Sequence, residues 1–234
     1  MVLPRLPLML LLFLSAAMLP GQDIFGLEIT HLYASVMPAW TCNGFTEDGD
    51  GNPVQGSDVS PIRFSFGFGF DLQLSESLTL EPELWMFMQE YIALNDYDKT
   101  VPTQIETGSQ VGDIANTIVF GVSVPVAYRF RPEWAGSWEF STLGGLALVF
   151  RIPVAGVDGS DAGPVGRYWI AGRFLYPQLG VAADYPFTDR IDLGMGLTWL
   201  IPVYNIWGRN EDSPLLDETM LRYGLRVRWA LGRS

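Results

Sequence analysis

Along eight stretches of this chain, large apolar residues alternate with small or polar ones at period two, the period of a β-strand rather than of a helix. The clearest stretch is Arg63 to Ser75. There Phe64, Phe66, Phe68, Phe70, Leu72 and Leu74 fall on one face, and Arg63, Ser65, Gly67, Gly69, Asp71 and Gln73 on the other. The phenylalanine face is too apolar for water. The opposite face is too polar, and at its glycines too empty, for half of a sandwich core. Apolar residues turned to lipid and polar or small ones turned to a lumen make the pattern of a transmembrane β-barrel strand.

The other seven stretches follow the same rule. The first runs from about Ile24 to Trp40; Leu27 and Ile29 alternate with Glu28 and Thr30 until the phase blurs at His31 and Leu32, which predicts a bulge or a crowded lumen. The third, Leu78 to about Tyr91, sends Leu78, Leu80, Leu84, Met86 and Met88 outward and Thr79, Glu81, Glu83, Trp85, Phe87 and Gln89 inward. In the fourth, Asn116 to Phe130, Ile118, Phe120, Val122, Val124, Val126, Tyr128 and Phe130 face out, with Gly121, Ser123, Ala127 and Arg129 inside. The fifth, Trp138 to about Val154, carries Trp138, Phe140, Leu146, Leu148, Phe150 and Ile152 outward and Glu139, Ser141, Gly145, Ala147 and Arg151 inward.

The sixth, about Tyr168 to Tyr185, is clear only in its second half, where Leu175, Leu179, Val181 and Tyr185 oppose Gln178, Gly180, Ala182 and Asp184. The seventh places Ile191, Leu193, Met195, Leu197, Trp199, Ile201 and Val203 outside and Asp192, Gly194, Gly196 and Thr198 inside. The eighth alternates Leu221, Tyr223, Leu225, Val227, Trp229 and Leu231 with Arg222, Gly224, Arg226, Arg228 and Ala230.

Connections between these strands alternate long and short. Four long polar segments, about 41–60, 95–115, 155–166 and 207–218, are separated by tight turns near Ser75–Ser77, Pro132–Ser137 and Pro186–Asp189. An even strand count with this alternation predicts an all-β, eight-stranded, antiparallel up-and-down barrel, with the long loops extracellular and both termini periplasmic. A soluble lipocalin-like barrel would keep its apolar face inside.

The start of the chain reads differently. Residues 1–21 carry one basic side chain, Arg5, an apolar run from Leu8 to Leu14, and small residues at Ser15, Ala16 and Ala17. This is the layout of a secretory signal peptide, cleaved between Ala17 and Gln22, which leaves 22–234 as the barrel domain. No later window supplies 18 uninterrupted apolar residues for a helical span.

Six prolines lie within the proposed strands: Pro38, Pro82, Pro125, Pro153, Pro177 and Pro202. Each removes a ladder donor. Pro38, Pro153 and Pro202 are expected near the loop rim, and Pro82, Pro125 and Pro177 at bulges or beside lumen water.

The inward face carries both signs of charge. Asp71, Glu81, Glu83, Glu139, Asp184 and Asp192 are acids; Arg63, Arg129, Arg151, Arg222, Arg226 and Arg228 are bases. An eight-stranded barrel is just wide enough for side chains to fill, and buried charge persists when paired. A lumen network of arginines and carboxylates is therefore expected in place of an open pore. Strand eight must close against strand one, which offers Glu28 as a partner for its arginines. Trp85, Phe87 and Tyr204 are expected over Gly67, Gly69, Gly194 and Gly196. Trp40, Tyr91, Trp169 and Trp207 on the loop side, and Phe70, Phe130, Trp138 and Tyr185 on the turn side, fall where interfacial aromatic belts form.

The chain has 14 Lys and Arg against 26 Asp and Glu, a formal net charge of −12, and loss of Arg5 with the leader makes it more acidic. Nucleic acid is excluded as a partner on that balance. Cys42 is the sole cysteine, so no internal disulfide forms. His31 is the sole histidine and has no histidine-x-serine neighbour, so no catalytic residues are assigned. Glu47-Asp48-Gly49-Asp50-Gly51-Asn52 begins like a calcium loop, but Pro53 stands where the turn needs glycine and Val59 where a bidentate glutamate belongs. No metal or cofactor is expected. The other loops add Asp96, Asp98, Glu106, Asp158, Asp161, Glu211, Asp212 and Asp217 as acidic surface.

In the last strand, Arg222, Gly224, Val227 and Trp229 fit the spacing polar-x-Gly-x-x-hydrophobic-x-aromatic. With the eight-strand plan, this resembles the small outer-membrane β-barrel family that includes the OmpA transmembrane domain, OmpX and OmpW. The resemblance implies residence in the outer membrane of a Gram-negative-type envelope and recognition by the outer-membrane assembly machinery. The chain departs from the pattern by continuing to Ser234. The expectation is a monomer in outer-membrane lipid with a structural, adhesive or surface-binding role through loops 41–60, 95–115, 155–166 and 207–218. The alternatives are a narrow OmpW-like channel for small solutes and a lipid-modifying enzyme.

Overall fold

The computed structural model describes residues 23–24, 26–41, 45–47, 53–55, 62–94, 100–102, 112–155, 174–203 and 219–231. The leader, Cys42, Tyr204, the first part of the sixth stretch with Trp169, and most of the long loops lie outside these residues. Eight antiparallel strands form the wall: β1 Leu27–Thr41, β2 Arg63–Gln73, β3 in two parts, Leu78–Leu80 and Glu83–Leu94, β4 Gly112–Phe130, β5 Glu139–Ala155, β6 Leu175–Pro186, β7 Ile191–Leu200 and β8 Met220–Ala230. Each pairs with its neighbours in sequence, and β8 pairs back onto β1 from Met220 opposite Thr41 to Ala230 opposite His31. The sheet is closed and has no free edge at this level.

The exposed residues form a nearly unbroken apolar surface. Phe64, Phe66 and Phe68 of β2, Met86 and Met88 of β3, Val122, Val124 and Val126 of β4, and Leu146, Leu148 and Phe150 of β5 all point away from the lumen and are exposed. Leu179 and Val181 of β6, Met195 and Leu197 of β7, and Leu225 and Val227 of β8 complete the circuit. Water would not tolerate so large an apolar surface around a monomer. A closed barrel satisfies every ladder group internally, and hydrocarbon requires that. This is a small β-barrel of the outer-membrane type. Among the described residues no helix is long and apolar enough to cross a membrane.

The wall departs from simple alternation at definite places. The register of β1 against β2 shifts between Ile29 and His31, a bulge where the phase of the sequence blurs. Leu72 has outward parity yet is buried, paired across the ladder with Ile29 and Leu80. The connection from β4 to β5 contains a short 3₁₀ helix, Glu133–Ala135, so β5 begins at Glu139 and leaves Trp138 outside it. Strand β7 ends at Leu200, although the Ile201 and Val203 amides still donate to β6 at Pro177 and Leu175.

Pro82 and Pro125 do not create bulges. Glu81 and Pro82 interrupt β3, but the register against β4 runs on unchanged from Leu80–Val126 to Glu83–Ser123. Glu81 donates its amide to the Pro125 carbonyl at 2.9 Å, and Pro125 has no amide to return. The Glu81 carbonyl is met instead from inside the barrel by the Tyr33 hydroxyl at 3.2 Å. Pro177 likewise keeps register, opposite Leu146. A register shift does occur between Pro153 and Ala155, toward the loop end of β5.

Candidate functional site

Among the described residues the lumen is the interior of the fold, and its two halves differ in kind. At the turn end, carboxylates and guanidiniums interlock. Arg228 donates to Asp71 at 2.5 Å through Nη2 and 3.1 Å through Nε. Arg129 bridges Glu81 at 2.5 Å, Asp71 at 2.9 Å and Glu139 at 3.3 Å. Arg226 reaches Asp184 at 2.7 Å through Nε and again through Nη2, and Glu81 at 3.1 Å. Arg228 also stands 3.5 Å from Asp184 and 3.7 Å from each of Glu139 and Asp192. Asp71, Glu81, Asp184, Arg226 and Arg228 are all buried.

Inward parity on seven strands, β2 to β8, creates this cluster. Glycines provide its room: a side-chain carbon added at Gly194 would fall on the Asp184 carboxylate, and one at Gly67 on Glu83 and Ser35. Strand β8 supplies two of the arginines, Arg226 and Arg228, and a third, Arg222, higher up. β8 lies between β7 and β1 and pairs with both. Glu28 is not their partner. It is exposed and lies beyond the last register pair of β8 with β1, Ala230 with His31.

Halfway up, Arg222 forms the boundary. Its two terminal nitrogens hold the Glu83 carboxylate at 3.0 Å each, and Nε donates to Ser65 Oγ at 3.2 Å. Glu83 also accepts from Ser35 at 2.7 Å. The guanidinium carbon stands 4.5 Å from the centre of the Trp85 ring, a cation–π contact. Above it the lumen is mainly apolar, with Thr41, Arg151, Gln178 and Thr219 also buried there. Ala39, Trp85, Phe87, Val119, Ala147, Val149, Tyr176, Leu200 and Met220 form one buried cluster. Trp85 donates to Ser123 at 2.8 Å and stacks on Phe87 at 6.0 Å.

Trp85 covers Gly121, whose added carbon would enter the indole ring. It does not cover Gly67, as the sequence suggests; that space is taken by Glu83 and Ser35. Gly69 is covered by Tyr33, and Gly194 by Asp184. Arg151 is separate from the turn-end cluster: it donates to the Tyr176 hydroxyl at 2.6 Å and lies 5.6 Å from that ring's centre. Arg63 sits at the loop end of β2, opposite Ala39.

No protein-family model and no curated protein sequence matches this chain. Solved structures do align with it. The chain is similar to small outer-membrane barrels. Neisserial surface protein A aligns at TM-score 0.49 and 10% identity over 86% of this chain and 96% of its own. OprG from Pseudomonas aeruginosa aligns at 0.46 and 9%, over 89% and 96%. Ail, the attachment invasion locus protein of Yersinia pestis, solved with the heparin analogue sucrose octasulfate, aligns at 0.40 and 8%, over 86% and 97%.

His31 sits at the turn-end mouth of the lumen. Its Nδ1 lies 3.0 Å from Thr30 Oγ1 and 3.4 Å from Asp71, and its Nε2 lies 3.7 Å from Asp192. With His31, the residues Gln73, Glu76, Arg129, Arg131, Glu139, Asp192 and Arg228 rim a polar bowl of about 410 Å³ open to the turn side. Among the described residues no group of histidine, cysteine and carboxylate side chains is placed to hold a metal. Of the assembly-signal positions, Arg222 is committed to Glu83, whereas Val227 and Trp229 face lipid. Gly224 has φ +156°, and an added side-chain carbon would meet the Val36 carbonyl and Met37 Cα of β1. Only glycine fits that close approach beside Pro38.

The apolar half contains residues that the alternating pattern assigned to neither face. Val119, Val149, Leu200, Met220 and Tyr176 are inward and buried. Their signal in the sequence is a break in alternation, as in Ile118-Val119-Phe120 and Leu148-Val149-Phe150, where both faces of a strand are apolar.

Proposed function

We propose that the barrel is a closed, monomeric platform in the outer membrane that presents acidic loops as a binding or adhesive surface, rather than a channel. The observation that supports this is the filled lumen: among the described residues the interior passes from ion pairs to a packed, mainly apolar plug in which Arg151 is bonded to Tyr176. Solutes need a continuous wetted path, and a plug headed by buried Trp85 and Phe87 does not supply one. Loops 41–60, 95–115, 155–166 and 207–218 carry the acids named above, and their charge suits basic surface partners. Assembly through the outer-membrane machinery and lipid as the surrounding medium belong to the same proposal.

The test pairs two readouts on the mature chain refolded into vesicles. Vesicles should not swell in small sugars or amino acids, and they should bind immobilised polylysine in low salt. Binding should fall when loops 41–60 and 95–115 are replaced by short turns. Swelling at rates above protein-free vesicles, with binding unaffected by the loop replacement, would favour the channel instead.

A further inference from the structure

The outer wall carries a hollow at the turn end. Across five strands, β4 to β8, the register sets Phe130, Phe140, Ala183, Met195 and Leu225 in a row on the lipid-facing side. Ala183 is the one small residue in that row. Around it Phe140 and Met195 form two walls, and Trp138, packed 5.3 Å from Tyr185, forms a third. The 3₁₀ helix after β4 brings Trp134 over the rim, its ring 5.8 Å from that of Phe140. With Ala135 these residues border a shallow, outward-opening hollow of about 420 Å³.

We propose that this hollow seats one acyl chain of a phospholipid from the periplasmic leaflet. The inference rests on the membrane reading of the barrel and adds a defined lipid site to it. Three observations favour an acyl chain. The hollow is continuous with the apolar belt, so its surroundings at that height are hydrocarbon. No side chain lining it is charged. Trp134, 82% exposed, lies at the level where the belt gives way to the polar turns, where an indole holds its ring in lipid and its N–H in the interface. An ordinary stretch of wall offers a chain one flat face. Here it would be gripped on three sides, so this lipid should exchange more slowly than its neighbours.

The test uses the full mature chain refolded into phosphatidylethanolamine–phosphatidylglycerol vesicles, extracted into mild detergent and weighed by native mass spectrometry. The wild type should retain one phospholipid mass. Ala183→Phe, which fills the hollow from a lipid-facing position, should lower that occupancy at least tenfold, and Val181→Phe on the same face should leave it unchanged. Trp134→Ala, in an exposed turn, should lower it severalfold and serves if Ala183→Phe folds poorly. Equal retention by the wild type and Ala183→Phe would overturn the proposal. So would a dimer mass lost with the same substitution, because a second copy would then be the occupant. Migration of boiled and unboiled samples separates the two levels. Heat-modifiable migration without a retained lipid would sink the seat alone. Unchanged migration would sink the membrane reading together with the seat.

Discussion

The turn-end and loop-end halves of the lumen are built on the same strands and parity, yet one is held by charge and the other by packing. Asp71, Glu81 and Asp184 meet Arg129, Arg226 and Arg228 in a buried net, whereas Trp85, Phe87, Tyr176, Leu200 and Met220 fill the space above with apolar volume. The difference teaches which errors each half tolerates. A charge net fails when one member is removed, because the partner remains buried and unpaired. A packed plug fails by degrees, with the volume lost or added.

The sharpest way to break the comparison is Arg226→Met. It leaves Glu81 with Arg129 alone and Asp184 with only the more distant Arg228 at 3.5 Å, and should cost about 3 kcal/mol in urea unfolding of the vesicle-refolded barrel. Adding Glu81→Gln and Asp184→Asn should restore most of that loss, since the cost lies in the excess of buried carboxylate over guanidinium charge. If the single and triple variants are equally unstable, packing rather than charge governs the turn-end half.

A smaller effect is expected from Gly121→Val in the other half. Its branched side chain would meet the Trp85 ring and should destabilise by about 1–3 kcal/mol through overpacking. An unfolding midpoint equal to that of wild type would show the plug to be loose. Tyr33→Phe should have the least effect, about 1 kcal/mol, by withdrawing the hydroxyl from the Glu81 carbonyl that Pro125 leaves without its ladder donor. Its signature is local. Faster hydrogen exchange at the amides flanking Glu81, without a change at β7, would place the loss at the proline break; uniform acceleration would refute that account.

Much of this was legible in the sequence because period two is a strong signal wherever the two faces differ in polarity. Phe64 to Phe70, Leu193 to Trp199 and Leu221 to Trp229 are read correctly for that reason. The acids and arginines of the turn-end half are visible as charged residues of inward parity in otherwise apolar stretches, though the pairing is not. Glu28 is a plausible partner from strand order alone, but register places it past the end of β8.

The plug was less legible. Where inward residues are as apolar as outward ones, alternation vanishes, and Val119, Val149 and Leu200 look like any residue of an apolar run. The prolines show a second limit. Nothing in the local sequence around Pro125 says that a tyrosine 92 positions earlier will take the carbonyl left opposite it, because that contact exists only once the barrel is closed.

The central claim is that the lumen is shut, and planar-bilayer conductance tests it most directly. The wild-type barrel should show no resolved current steps in 1 M KCl, while Trp85→Ala combined with Phe87→Ala should open steps by removing the two stacked rings of the plug. Steps from the wild type that the double substitution leaves unchanged would contradict a closed lumen and return the barrel to the channels.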